Sequence, residues 1–217
     1  LYGTSSIGIE LTLKDSIKVT LLIFIPVFYI FNFFGIDIIS LLLQRGKFNA
    51  GDSYTTAEVL RYLNLGLLFY AIYAIFNKVL YSAKLIRQLL YITLIGMMIK
   101  IFLNFYLVKL MNFNGLALST SISYIFFFIA SVSVIVKRFQ FNWVLISSFE
   151  FIILFSNGLV AFLITEVLFN LFDFTQVVSF SLKMVFFIGI YMINLILIRH
   201  SGIKLIFDRF IMQKVFQ

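Results

Sequence analysis

Cysteine is absent from the chain, proline and histidine each occur once, and charged side chains make up only 12% of the residues. Without cysteine there is no disulfide framework and no thiol chemistry, and the redox compartment stays open. The single His200 sits beside the last apolar run without the partners a metal site needs, so no metal is expected. Paired carboxylates with a base, a glycine-rich phosphate loop followed by Lys-Ser or Lys-Thr, and a metal-ligand cluster are all missing. The chain is therefore expected not to be an enzyme and to carry no cofactor. A nucleotide-driven pump would need its ATPase domain from another chain.

The 217 residues are 62% hydrophobic, with 29 Phe and a mean hydropathy of +1.08. A soluble domain is about half apolar and a quarter charged. Here the polar residues gather between apolar runs, so lipid must cover the rest. The formal charge of +8 does not indicate nucleic acid, because Lys and Arg are scattered through short loops rather than gathered on one face.

A bilayer core of about 30 Å takes roughly 20 helical residues at about 1.5 Å each. Six runs meet that length: Val19 to Leu43, Leu60 to Leu80, Leu89 to Val108, Gly115 to Val136, Val144 to Phe169 and Val177 to Ile198. They are apolar nearly all round, whereas barrel strands would be shorter and would alternate. The fold class is all-α, a polytopic membrane helix bundle with six transmembrane helices. Pro26 lies early in the first run, where it removes a backbone donor and favours a kink. The longest connection, Gln44 to Ala57, has turn-forming Gly46, Asn49, Gly51, Asp52 and Ser53 and offers an N-cap to the next helix.

With six spans, Lys14, Lys18, Lys84, Arg87, Lys137, Arg138, Arg199, Lys204, Arg209 and Lys214 fall on one side and only Arg45, Lys47, Arg61 and Lys109 on the other. The positive-inside bias makes the first side cytoplasmic, with both ends of the segment inside and the Gln44 to Ala57 loop outside. Trp143 fits an interfacial anchor. Residues 203 to 217 place Ile203, Ile206, Phe207, Phe210 and Ile211 on one face, as a short amphipathic helix on the cytoplasmic leaflet would, the alternative being a frayed tail.

Ionisable residues deep in a span cost about 2.5 to 3.5 kcal/mol on insertion scales and are the informative ones. Lys100 lies near the middle of the third run, and Asn104 follows one turn later in a stripe with Thr93 and Gly96. The fourth run opens with small residues, Gly115 to Ser121, that let another helix approach closely. Lys100, Asn104 and Thr120 are the expected cluster. Two readings of Lys100 stand side by side: a cation that contacts an anionic substrate or replaces a transported cation, and a structural lysine bonded to neighbouring helices or neutralised by desolvation. Lys78 and Glu150, near the ends of their runs, are expected to snorkel to the headgroups. Glu166 and Lys183 flank the last outer turn at matching depth, where an ion pair would lock that hairpin. Asp37, near the outer interface, needs no special role.

Pro26, the stretch Ile39-Ser40-Leu41-Leu42-Leu43-Gln44-Arg45-Gly46-Lys47-Phe48, Gly66 with Phe69-Tyr70, Leu80-Tyr81-Ser82-Ala83, Asn104 and Gly115-Leu116-Ala117-Leu118-Ser119 follow in one order and spacing. In these elements the stretch from Pro26 to Val136 resembles the MviN/MurJ-type lipid II flippases of the multidrug/oligosaccharidyl-lipid/polysaccharide exporter superfamily. The loop Lys84-Leu85-Ile86-Arg87 departs from that pattern in lacking a proline. The resemblance implies two pseudo-symmetric six-helix lobes, of which this chain is the C-terminal part. Residues 1–142 would be later helices of the second lobe, in four spans, and 143–200 two additional transmembrane helices. Residues 201–217 would be the cytoplasmic interfacial tail. A chain that opens Leu1-Tyr2-Gly3 is expected to be a fragment whose N-terminal lobe is missing.

What the resemblance implies about function is alternating access in the bacterial cytoplasmic (inner) membrane, moving lipid II between leaflets. Its partners would be a polyprenyl-diphosphate-linked saccharide, the lipid bilayer, the missing lobe, and a coupling monovalent cation or the membrane potential, with no nucleic acid. Lys100, Asn104 and Thr120 are the candidates for substrate or ion contact. Arg45 is a further candidate for headgroups on the outer side, or an interfacial anchor in a tight turn. The alternatives are a flippase for O-antigen or capsule intermediates, a drug antiporter, and a non-transporting membrane scaffold.

Overall fold

The computed structural model describes residues 2–139, 143–170, 176–198, 200–203 and 205. Among the described residues seven helices follow one another: α1 (Tyr2–Phe33), α2 (Gly35–Leu43), α3 (Ala50–Ser82), α4 (Ile86–Met111), α5 (Phe113–Phe139), α6 (Trp143–Asn170) and α7 (Gln176–Leu197). Six are long and apolar enough to cross a membrane: Leu11–Phe33, Ala50–Ser82, Ile86–Met111, Phe113–Phe139, Glu150–Phe169 and Phe180–Leu197. No strand occurs among the described residues. The expected surface helix over 203–217 falls, apart from Ile203 and Leu205, outside the described residues, as does the side chain of Trp143.

Two expectations are corrected. The apolar run from Val19 to Leu43 is not one span, because the helix breaks at Phe34 and resumes as the nine-residue α2, too short to cross a bilayer. Gly35 is a weak helix former, and Phe34 is 2% exposed, so ring burial and low propensity favour a break here. Arg61 on α3 donates its Nε to the Asn32 carbonyl at 3.0 Å, satisfying one of the acceptors that a helix C-terminus leaves open. Asp37 lies in the first turn of α2, where a carboxylate meets the positive end of the helix dipole. The connection drawn from Gln44 to Ala57 is also shorter, since α3 begins at Ala50. Asn49 caps it, accepting from the Asp52 N–H at 3.1 Å, while Asp52 accepts from the Asn49 N–H at 2.9 Å.

The chain forms two compact units, one of residues 1–29 with 144–217 and one of 30–143. In the first, three side chains close a ring of hydrogen bonds to backbone carbonyls. Tyr29 on α1 donates to Phe155 on α6 at 2.9 Å, Asn157 on α6 donates to Tyr191 on α7 at 3.1 Å, and the Tyr191 hydroxyl donates back to Leu22 on α1 at 3.3 Å. Around this ring Leu21, Ile25, Leu154, Phe187 and Leu195 are buried.

In the second unit α5 packs against both α3 and α4. Turns this tight need unusual backbone: Lys84, between α3 and α4, and Asn112, between α4 and α5, adopt positive φ of 57° and 50°. One edge of α5 meets α4, where a Cβ on Gly115 would lie 2.2 Å from the Leu107 carbonyl oxygen. The other meets α3 at Gly66, where a Cβ would lie 2.5 Å from the Ser121 Cα. Ser121 uses that proximity. Its Oγ accepts from the Gly66 N–H at 3.0 Å and donates to the Tyr62 carbonyl at 2.5 Å, so it bridges an i, i−4 pair of one α3 turn.

This close approach sets a stability test. Gly66→Val forces α3 and α5 apart and is expected to cost about 1 to 3 kcal/mol, read as a lowered thermal midpoint of the detergent-solubilised protein. Gly189 on α7 faces open space, so Gly189→Ala is expected to leave the midpoint unchanged or slightly raised. Equal midpoints for the Gly66 and Gly189 variants would remove the close-contact account.

Candidate functional site

A helix flanked on one side only has a covered edge and a bare face. On α4 the bare face carries Leu90, Leu94, Met98, Ile101, Phe102 and Phe105, all strongly exposed and apolar, as lipid requires. The covered edge runs through Gly96, Lys100, Leu103, Asn104 and Leu107, which are buried or half-buried. Helical geometry places these one turn apart on the side of α5. Gly96 is needed there, because the Phe127 ring of α5 lies 2.0 Å from where its Cβ would be. Phe127 in turn stacks on Tyr73 of α3, with centroids 5.1 Å apart and planes at 21°.

Of the expected cluster, the structure joins Asn104 to α5, but through Ser119 rather than Thr120. The Ser119 hydroxyl, on a fully buried residue, bonds the Asn104 Oδ1. Thr120 turns its hydroxyl back to the Leu116 carbonyl of its own helix at 2.9 Å. Lys100 makes no hydrogen bond or ion pair among the described residues and stands half-buried one turn from Asn104. The seam thus carries a lysine in the middle of α4, with an amide–hydroxyl pair beside it. Arg45 is exposed in the turn after α2, beside Gly46 with φ of 59°.

A second polar cluster, which the sequence reading did not assemble, lies in the first unit. Glu150 does not snorkel. One carboxylate oxygen pairs with the Lys18 Nζ at 2.8 Å and the other lies 2.5 Å from the His200 Nε2. Lys18 also donates to the Ser201 Oγ at 3.0 Å. The Gly202 N–H donates to His200 Nδ1 at 3.2 Å, which leaves Nε2 as the proton-bearing nitrogen facing Glu150. Three residues from α1, α6 and the segment after α7 thereby fasten at one point. Span arithmetic held the signal: Lys18 and Glu150 lie at the start of the first and fifth apolar runs and His200 just after the end of the sixth, three positions that the alternation of spans puts on one side. Lys78, by contrast, is exposed near the end of α3. The expected hairpin pair is present, with Lys183 Nζ 3.1 and 3.2 Å from the two Glu166 oxygens and 6.0 Å from the Phe169 ring centroid.

Comparison with known proteins gives a consistent result. The family model described as lipid II flippase MurJ matches residues 5–188. A probable lipid II flippase MurJ of Borreliella burgdorferi is 30% identical over 211 residues, covering 97% of this chain and 39% of the relative. One from Helicobacter pylori strain J99 is 30% identical over 106 residues, covering 49% of this chain and 22% of the relative. A solved structure described as lipid II flippase MurJ, inward closed conformation, superposes with a TM-score of 0.76 at 24% identity over 88% of this chain and 39% of that one. The chain therefore spans about two fifths of the length of the Borreliella relative.

The charged clasp yields a double-mutant test. Glu150→Ala leaves Lys18 and His200 facing each other without their shared acceptor and is expected to cost about 2 to 3 kcal/mol, since the three groups are largely but not wholly buried. Lys18→Met combined with Glu150→Met removes both charges and is expected to recover part of that loss. Losses in thermal midpoint for Lys18→Met and Glu150→Met made singly that add strictly to the loss of the double variant would show that the pair contributes no coupling.

Proposed function

This chain belongs to the lipid II flippase MurJ family, and from that premise we propose that the full-length protein is a flippase. It carries the lipid-linked peptidoglycan precursor across the bacterial inner membrane by alternating access. The match of the family model over residues 5–188 carries this reading. The multi-pass membrane character supports it, with six helices among the described residues long and apolar enough to cross a bilayer. The reading makes the protein a transporter rather than an enzyme, since no bond of the cargo changes.

In this reading residues 1–142 are later helices of the second lobe and 143–200 two additional helices. An N-terminal lobe supplies the opposite wall of the cavity. Both ends of the segment lie in the cytoplasm, an orientation supported by the ten cations that the span order places on that side. Lys100 acts as the fixed mid-span cation of this wall. A cation at this depth would attract the diphosphate of the cargo or stand in place of a transported monovalent cation, the two roles being separable by ion dependence. Asn104, held by Ser119, and Thr120 would present neutral polar groups beside it. Arg45 would meet headgroups in the outer leaflet.

Complementation tests the reading. The full-length protein is expected to restore growth to a strain depleted of its lipid II flippase, and Lys100→Gln to reduce that rescue at equal membrane abundance. Rescue of O-antigen or capsule export mutants instead would favour a different polyprenyl-linked cargo. Full rescue by Lys100→Gln would make Lys100 a structural lysine.

A further inference from the structure

The exposed side of α3 differs in kind from that of α4. From Tyr70 to Ser82 a single helical stripe carries Tyr70, Tyr73, Ala74, Asn77, Lys78 and Tyr81, which line a cavity of about 440 Å³. The stripe is too polar for hydrocarbon, whereas the bare face of α4 is apolar between Tyr91 and Lys109, near its two ends. It is also too long for an interfacial belt. Tyr70 stands at the centre of the apolar run from Leu60 to Leu80, about 15 Å from its near end and so near the middle of a hydrocarbon core of about 30 Å. Interfacial Tyr and Lys account for its shallow end, at Lys78 and Tyr81. They do not account for Tyr70, which is 42% exposed about three turns deeper.

The rings at the deep end are held from behind. Tyr70 packs on Tyr124 of α5, centroids 4.5 Å apart, and Tyr73 stacks on Phe127 at 5.1 Å. Aromatic faces fixed by packing, with hydroxyl and amide groups at their margin and an ammonium toward the membrane surface, suit a ligand with apolar C–H faces, many hydroxyls and a phosphate. A phosphorylated saccharide has that chemistry. A fatty acyl chain has no use for the polar groups, and a simple phospholipid headgroup has no use for rings set so deep.

We propose that the Tyr70–Ser82 stripe of α3 lines a water-filled cleft that binds a diphosphate-linked saccharide, tyrosine rings against the sugar and Lys78 against phosphate. The proposal rests on the flippase reading only for the lipid that carries the saccharide.

The segment contains no cysteine, so Ala74→Cys in a full-length protein free of other thiols places one reporter in the cleft. The introduced thiol is expected to react with a membrane-impermeant maleimide and to be protected by a short-chain polyprenyl-diphosphate disaccharide. Protection is expected to be much weaker with the same polyprenyl diphosphate lacking sugar, and absent with phosphatidylglycerol. Tyr70→Leu should raise the concentration for half-protection by the disaccharide lipid about fivefold, and Lys78→Gln should raise it about tenfold. Tyr70→Phe, which keeps the ring, should stay near the unsubstituted value. Failure of the Ala74→Cys protein to label, when correctly inserted, would put the stripe in lipid and overturn the proposal. Equal protection with and without sugar, or no effect of Tyr70→Leu, would overturn the saccharide assignment. Protection by the disaccharide lipid in a protein that fails to complement a lipid II flippase would leave the cleft standing and remove only the choice of cargo.

Discussion

Hydrocarbon offers no hydrogen bonds, and this constraint shapes the polar contacts described above. A polar side chain within a span must find a partner on another helix, turn back on its own, or line water. The first two occur among the described residues. Ser121 bridges the Gly66 N–H and the Tyr62 carbonyl, and Asn104 meets Ser119. Thr120, Ser123 and Thr165 turn back to the carbonyl four residues earlier. The tyrosine stripe of α3 is assigned to the third.

Because lipid is as apolar as leucine, apolar area alone does not drive these helices together; close packing and polar contacts do. That accounts for where the small residues sit. Gly66, Gly96 and Gly115 each occupy a place where a side chain would collide with a neighbouring helix, and all three lie along α5 or against it. The first unit uses larger groups to the same end. Tyr29, Asn157 and Tyr191 reach carbonyls across three helices, and the Lys18–Glu150–His200 clasp fastens α1 and α6 to the segment after α7.

Spans were legible in the sequence because about twenty apolar residues in a row have few alternatives. The break at Phe34 was not, because a hydropathy run reports only that residues avoid water, and both α1 and α2 do. Depth matching found the Glu166–Lys183 pair, which adjoins a short turn, but not Lys18 with Glu150 and His200, whose partners lie on segments far apart in the chain. Asn104 was legible as a candidate but not its partner, since Ser119 and Thr120 are adjacent and only the helix rotation decides between them. Family membership was legible from the order and spacing of the loop and small-residue elements, none of which is distinctive alone.

The central claim is that these helices form one wall of a machine that moves a lipid-linked saccharide between leaflets. The most direct measurement is translocation by the purified full-length protein in vesicles, followed by the leaflet accessibility of fluorescent lipid II over time. The account predicts movement faster than in protein-free vesicles, competed by unlabelled lipid II and not by phosphatidylglycerol. A folded, correctly inserted protein that moves lipid II no faster than bare vesicles would contradict it.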